Sequence, residues 1–195
     1  MVNKKILLVG DCVGYGRLAI TAQASVLTPK GHSVSYLPTA LVSNNFCYQQ
    51  YAMLDTTEYM RQTLEVWRRL NFRFDVISIG FVASNEQADM LCEYCESQKA
   101  NGAMVVVDPI MADNGSLYSG IGEETVERLR RMIAISDIAV PNYTEACYLA
   151  GCQYRENGLD KEEVPAIIDK LRSLGAKSIL ITSSKVEGDA CVVGY

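Results

Sequence analysis

Four oxygen-bearing side chains sit where two apolar runs stop. Met104-Val105-Val106-Val107 ends at Asp108-Pro109, and a polar, Gly-bearing loop with Asp113 follows. Ile138-Ala139-Val140 ends at Pro141-Asn142, and Thr144-Glu145 open the next helical segment. In an open parallel sheet, ligands bind just beyond the carboxyl ends of the strands. Asp108, Asp113, Asn142 and Glu145 are therefore expected at one rim. An all-oxygen set of this kind suits Mg²⁺, which keeps several waters and carries phosphates. The competing reading makes them strand-ending turn residues, with Glu145 satisfying a helix N-terminus.

Other chemistry-bearing residues are weaker candidates. Thr182-Ser183-Ser184 follows a further apolar run and could hold phosphate oxygens, or simply cap a turn. Gly10, Gly14 and Gly16 surround Asp11, but the spacing is not G-x-G-x-x-G, and no G-x-x-x-x-G-K-[ST] occurs. The single histidine, His32, reads as a turn residue, which leaves a Ser-His-Asp triad or a His-bearing metal site little to build on. Cys92 and Cys95 have redox spacing but fall inside a predicted helix and read as core.

The elements that must position these residues alternate. Apolar runs predict strands over 6–9, 32–37, 76–79, 104–107, 138–140, 178–181 and 190–193. Helical periodicity falls between them: over about 17–27, then with Met60, Leu64, Trp67 and Leu70, and then with Ala88, Leu91, Cys92 and Cys95. It returns with Val126, Leu129 and Ile133, then over 145–150 and about 162–174. Asp55 to Glu58 and Ser84 to Gln87 read as capping boxes. Pro165 is placed in the first turn of its helix, where no donor is lost. This alternation predicts an α/β fold, a doubly wound, mostly parallel sheet with helices on both faces, in one domain over residues 1–195.

The totals agree. At 195 residues the chain can bury a sizeable core, and 49% hydrophobic with 21% charged residues is ordinary for a globular protein. A net charge of −5 argues against nucleic acid or an anionic membrane, though not against a nucleotide held by backbone N–H groups and a metal. No apolar run approaches the ~20 residues of a membrane span. Seven cysteines without a secretory signal indicate a reducing, cytoplasmic setting.

Two segments resemble a known family. Asp108-Pro109-Ile110-Met111-Ala112-Asp113-Asn114-Gly115-Ser116-Leu117-Tyr118 resembles the D-P-V-M-G-D-x-G-x-L-Y segment of pyridoxal/pyridoxamine (vitamin B6) kinases. Asp137 to Ala146 resembles their A-D-x-x-x-P-N-x-x-E-A segment. Gly14-Tyr15-Gly16-Arg17, Leu37-Pro38-Thr39-Ala40 with Val42-Ser43, and Ile181-Thr182-Ser183-Ser184 are similar to further parts of the pattern. The family is ribokinase-like. The resemblance implies transfer of phosphate from ATP to the 5′-hydroxymethyl group of a B6 vitamer (pyridoxal, pyridoxamine or pyridoxine). It implies Mg²⁺ at Asp108, Asp113 and Glu145, with Glu145 acting through water. It places nucleotide contacts at Asn142, Thr182 and Ser183, and substrate contacts at Asp11, Ser43, Asn45, Phe81 and Tyr118. A homodimer is implied as well, and a monovalent-cation requirement is left open.

The sequence also departs from the pattern. Ala112 stands where Gly is usual, Phe81 where Tyr is common, and Ser43-Asn44-Asn45-Phe46-Cys47 where S-x-H-T-G is frequent. The superfamily's G-x-G-D, which supplies the catalytic base, does not occur in these 195 residues. The expectation is a C-terminally truncated member whose catalytic Asp lies beyond Tyr195, poor in activity by itself. Two rivals stand beside it: a kinase for hydroxymethylpyrimidine or another small alcohol, and a non-catalytic ligand-binding or dimerising homologue.

Overall fold

A computed structural model describes residues 3–45, 48, 50–118 and 121–195. The chain divides into two compact units, Met1–Val105 and Val106–Tyr195. The first is built from helices and mainly parallel strands, the second from helices, parallel strands and two antiparallel hairpins, and the chain is α/β with a mostly parallel sheet, as its alternating pattern predicts.

In the first unit, β1 (Lys5–Tyr15) runs between β2 (Ser33–Asn44) and β4 (Val76–Ile79), parallel to both. Ile6, Leu7, Leu8 and Val9 are buried, as a strand covered on both faces requires. α1 (Ala19–Leu27) packs Ile20 and Ala24 against Ile6 and Leu8. His32 lies between the turn at Gly31 and β2, and its Nδ1 accepts the Lys4 N–H at 3.3 Å.

β1 and β2 are longer than expected. Residues 11–15 and 38–44 lie beyond the expected strand ends at 9 and 37, yet they pair with each other, with a bulge between Gly10 and Asp11. β4 ends at Ile79, and Gly80 N–H closes on Val9 O at 2.8 Å. Past that point β1 continues beside β2 alone. Val13, Ala40 and Val42 bury one face there while Leu41 and Ser43 stay exposed. The short β3 (Met53–Asp55) adds antiparallel to β2.

α2 (Thr57–Arg69) and α3 (Asn85–Lys99) follow the periodicity, burying Met60 and Leu64 and then Ala88, Leu91 and Cys95. Their caps differ from the boxes expected. Asp55 Oδ1 accepts the Thr57 N–H at 2.7 Å, while Thr56 donates its hydroxyl to Pro38 O at 2.6 Å. Ser84 Oγ does cap α3, accepting the Gln87 N–H at 3.2 Å. Gln87, however, reaches back to Ala83 N–H at 2.9 Å, and its amide donates to Thr39 O at 2.8 Å. That fully buried amide ties β2 to the start of α3.

In the second unit, β8 (Ile138–Ala139) lies parallel between β5 (Met104–Val107) and β9 (Ser178–Val186). β10 (Asp189–Gly194) folds back antiparallel on β9 through Glu187-Gly188, both with positive φ. That hairpin carries β9 five residues past the expected end at 181, because the strand expected over 190–193 turns back and supplies antiparallel hydrogen-bond partners. α4 (Glu123–Ala134), α5 (Tyr143–Ala150) and α6 (Val164–Ser173) supply the helical faces. Pro165 lies in the first turn of α6, behind a 3-10 turn at Lys161–Glu163. The loop after Asp108 contains an unexpected hairpin of β6 (Ala112–Asp113) and β7 (Ser116–Leu117).

Candidate active site

Glu145 is the hub of the second unit's rim. It sits at the third position of α5, only 2% exposed. Asn142 caps that helix: its Oδ1 accepts the Glu145 N–H at 2.9 Å, and Glu145 Oε2 accepts the Asn142 N–H at 2.8 Å. Glu145 Oε1 reaches the other segment and accepts the Met111 N–H at 3.1 Å. Asn142 Nδ2 donates to Ala112 O at 2.8 Å. Two chain segments about 30 residues apart are thus fastened by one carboxylate and one amide.

The β6–β7 hairpin is held from the same helix. Asn114 and Gly115 both have positive φ, the geometry of a tight two-residue hairpin turn. Gly115 N–H donates to Thr144 Oγ1 at 3.0 Å, and Thr144 is buried. Asp113, which is exposed, points its oxygens at its own turn, accepting Asn114 N–H at 2.8 Å and Asn114 Nδ2 at 3.1 Å. Ala112, where Gly is usual, is fully buried without disturbing these bonds. Thr144 and the hairpin escaped the sequence reading. The Asn114-Gly115 pair was the available signal, since both residues tolerate positive φ.

The carboxylates feel one another. Burial pushes Asp108 up to about 6. Burial is also the largest influence on Glu145, raised to about 8. The Asp108 charge adds to that, while N–H donors from Asn142, Met111 and Ala112 oppose it. The Tyr118 hydroxyl is raised by burial and then by the charges of Asp113, Glu145 and Asp108, so these four groups share one electrostatic neighbourhood. Burial leads each of these shifts, with the neighbouring carboxylates adding to those of Glu145 and Tyr118, and a cation bound beside them would favour the charged forms.

Thr182 comes to the same rim from β9. Its N–H donates to Pro141 O at 2.9 Å, and it forms a parallel bridge with Asn142. Thr182 is half-buried and Ser183 exposed, with φ +52. The second unit therefore brings together Asp108, Asp113, Tyr118, Asn142, Glu145 and Thr182, with Ser183 next in line. Among the described residues, no three His, Cys, Asp or Glu side chains are arranged as a metal cage. The donor set still fits a hydrated Mg²⁺, which takes one or two carboxylates and leaves the rest to water and phosphate. Glu145, with both oxygens already accepting N–H groups, fits a water-mediated place.

The other expected contacts lie in the first unit. Asp11 is 8% exposed on β1, opposite Ala40, and burial raises its pKa. Phe81 follows Gly80 just past β4, and its carbonyl accepts the buried Thr39 hydroxyl at 2.7 Å. Ser43 is at the end of β2, where its Oγ donates to Asn44 Oδ1 at 2.6 Å and accepts Ala52 N–H at 2.9 Å. Asn45 O accepts the Tyr48 N–H at 3.2 Å. Phe46 and Cys47 of this loop lie outside the described residues.

Comparison with known proteins gives this arrangement a context. The model of the phosphomethylpyrimidine kinase family matches residues 19–194. A hydroxymethylpyrimidine/phosphomethylpyrimidine kinase of Aquifex aeolicus is 29% identical over 179 residues, covering 91% of this chain and 60% of that protein. The chain thus spans about 60% of the length of that relative. A candidate phosphomethylpyrimidine kinase of Bacteroides thetaiotaomicron has a crystal structure with TM-score 0.92 and 32% identity, covering 99% of this chain and 67% of that one. In a second crystal form, with pyridoxal, the TM-score is 0.90 at 31% identity, covering 96% and 65%. A pyridoxal kinase of Lactobacillus plantarum matches with TM-score 0.84 and 29% identity over 93% of this chain and 64% of that one. From the match over residues 19–194 and these relatives, the chain belongs to the phosphomethylpyrimidine kinase family, in the ribokinase-like group that includes pyridoxal kinases.

Proposed function

We propose that this chain carries the metal- and phosphate-holding side of a kinase that transfers phosphate from ATP to the 5′-hydroxymethyl group of a B6 vitamer. The observation that carries the reading is the Asn142–Glu145 box. It fastens the Asp108 loop through Met111 N–H and Ala112 O beside two further carboxylates. Phosphoryl transfer is mainly positioning and charge neutralisation, so a rigid acidic rim is the part a protein has to supply.

In this reading Asp108 and Asp113 would hold Mg²⁺ and Glu145 would hold it through water, and the ion would supply positive charge to neutralise phosphate oxygens. Thr182 and Ser183 offer hydroxyls to the nucleotide phosphates, and Asn142 keeps Thr182 beside Glu145. Tyr118 borders the phosphate. Asp11, Ser43, Asn45 and Phe81 contact the vitamer, with Asp11 on the ring. Deprotonation of the substrate hydroxyl is assigned to no residue of this sequence, which has no G-x-G-D. The protein acts in the cytoplasm as a homodimer. No helix among the described residues is long and apolar enough to cross a membrane.

The second reading, a hydroxymethylpyrimidine kinase, is favoured by the family match and the Aquifex relative. A thermal-shift panel separates the two. With MgATP present, pyridoxal or pyridoxamine should raise the midpoint more than hydroxymethylpyrimidine does. The reverse order selects the pyrimidine kinase. No stabilisation by MgATP in any combination removes both readings and leaves a non-catalytic homologue.

A further inference from the structure

The first unit holds a cleft that the proposed kinase function does not use. It lies at the amino ends of β1 and β2, whereas Asp11 stands toward the other end of β1. Its volume is about 280 Å³, room for a single ring with one charged substituent. Lys5 and Ser33, the paired first residues of the two strands, form one side. The opposite side is Trp67, from the last turn of α2, with Phe72 and Phe74.

The chemistry of the lining is one-sided. Among the described residues that line it, Lys5 and Arg73 alone are charged, and both are cationic. Ser33 and Ser35 add hydroxyl donors, and no carboxylate lines the space among the described residues. Asp75, beside Phe74, is not part of the lining: it accepts Lys5 N–H at 2.7 Å, pairs with Lys4 at 3.5 Å, and also feels the Lys5 charge, more weakly than that of Lys4. Two carbonyls at the end of α2 are already taken. Trp67 O accepts Phe72 N–H at 3.0 Å, and Arg68 O accepts Asn71 N–H at 3.1 Å. The aromatic wall is continuous, with Trp67 centred 5.7 Å from Phe74 and 6.4 Å from Phe72. Trp67 is only half-buried, and Phe72 is 46% exposed. Arg73 donates one guanidinium N–H to Asn71 Oδ1, also in the lining, at 2.7 Å, a neutral acceptor that leaves its charge uncompensated. A ring with no charge would not answer that charge, and a bare anion would leave the indole unused.

We propose that this cleft binds a small aromatic anion, its ring against Trp67 and its anionic group on Lys5 and Arg73. The shared chemistry is an aryl phosphate or aryl carboxylate. The proposal stands independently of the kinase reading.

Trp67 is the only tryptophan in the chain, so its emission reports on this cleft alone. Phenyl phosphate should change that emission saturably. Benzyl alcohol and inorganic phosphate should each need concentrations at least about tenfold higher. The double variant Lys5→Gln/Arg73→Gln should weaken phenyl phosphate about tenfold or more while leaving the benzyl alcohol response unchanged. If that variant does not fold, a salt titration of the native chain replaces it, and binding should weaken as salt screens the two exposed cations. The proposal is overturned by an unsaturable response, by equal binding of benzyl alcohol, by an unaffected double variant, or by salt-independent binding. Benzoate in place of phenyl phosphate then tells carboxylate from phosphate preference.

Discussion

Asn142 and Glu145 hold each other by reciprocal bonds, side chain to backbone in both directions, at 2.9 and 2.8 Å. Each also spends its remaining polar group on the Asp108 loop, Asn142 on Ala112 O and Glu145 on Met111 N–H. A helix cap and a loop anchor are therefore the same two side chains. Changing either should alter helix stability and rim geometry together.

Asn142→Ala removes the cap acceptor and orphans Ala112 O. The expected cost is about 1–3 kcal/mol, read from urea unfolding. Asn142→Asp keeps the cap oxygen but loses the donor to Ala112 and adds a charge beside Glu145. It should recover only part of the loss in the absence of Mg²⁺. Full recovery by Asp would show that the Ala112 contact carries no stability.

Glu145→Gln is not a neutral swap. Both Glu145 oxygens accept N–H groups, so an amide nitrogen in one position would face a donor. Destabilisation of about 1–3 kcal/mol is expected. MgATP should stabilise the variant less than the parent in a thermal-shift titration. An unchanged MgATP response would take Glu145 out of the metal site.

The pH dependence has a definite sign. Glu145 and Asp108 are raised to about 8 and about 6, so the folded chain binds more protons than the unfolded one between the ordinary carboxyl range and those values. Without metal, their contribution to stability is full at low pH and is lost as pH rises through about 6 and then about 8. A cation competes with those protons, so Mg²⁺ affinity should rise over the same interval. Calorimetric titration of Mg²⁺ across the interval checks this, and a flat profile sinks it.

Gly115→Ala tests the hairpin. The residue has φ +79, and an added Cβ would lie 2.6 Å from Tyr154 Cδ1. Strain and displacement of the Tyr154 ring should cost about 1–3 kcal/mol. Differential scanning calorimetry should show a lowered midpoint.

Gln87→Leu tests the first unit. It leaves the Ala83 N–H and the Thr39 carbonyl without their side-chain partner. A loss of about 1–3 kcal/mol for each orphaned group is expected in denaturant unfolding. Gln87→Glu keeps the Ala83 contact but buries a charge and should not rescue.

What the chain determined by itself is the part written in local periodicity and type. The apolar runs at 76–79 and 104–107 became strands where expected. The amphipathic spacing from Met60 to Leu64 and from Val126 to Ile133 became helix faces. Asp108, Asn142 and Glu145 were legible because strand ends and helix starts have residue-type signatures. The tertiary structure decided the rest. Residues 11–15 and 38–44 are strand because each found the other, and neither carries a sufficient pattern alone. β9 runs to Val186 because β10 returns beside it and Leu159 bridges Val186. Glu145 reaches Met111 across 34 residues, and Gln87 reaches Thr39 across 48. Such bonds depend on where a side chain ends in space, and burial then sets the acidity of Glu145, which its residue type alone would place near the ordinary carboxyl value.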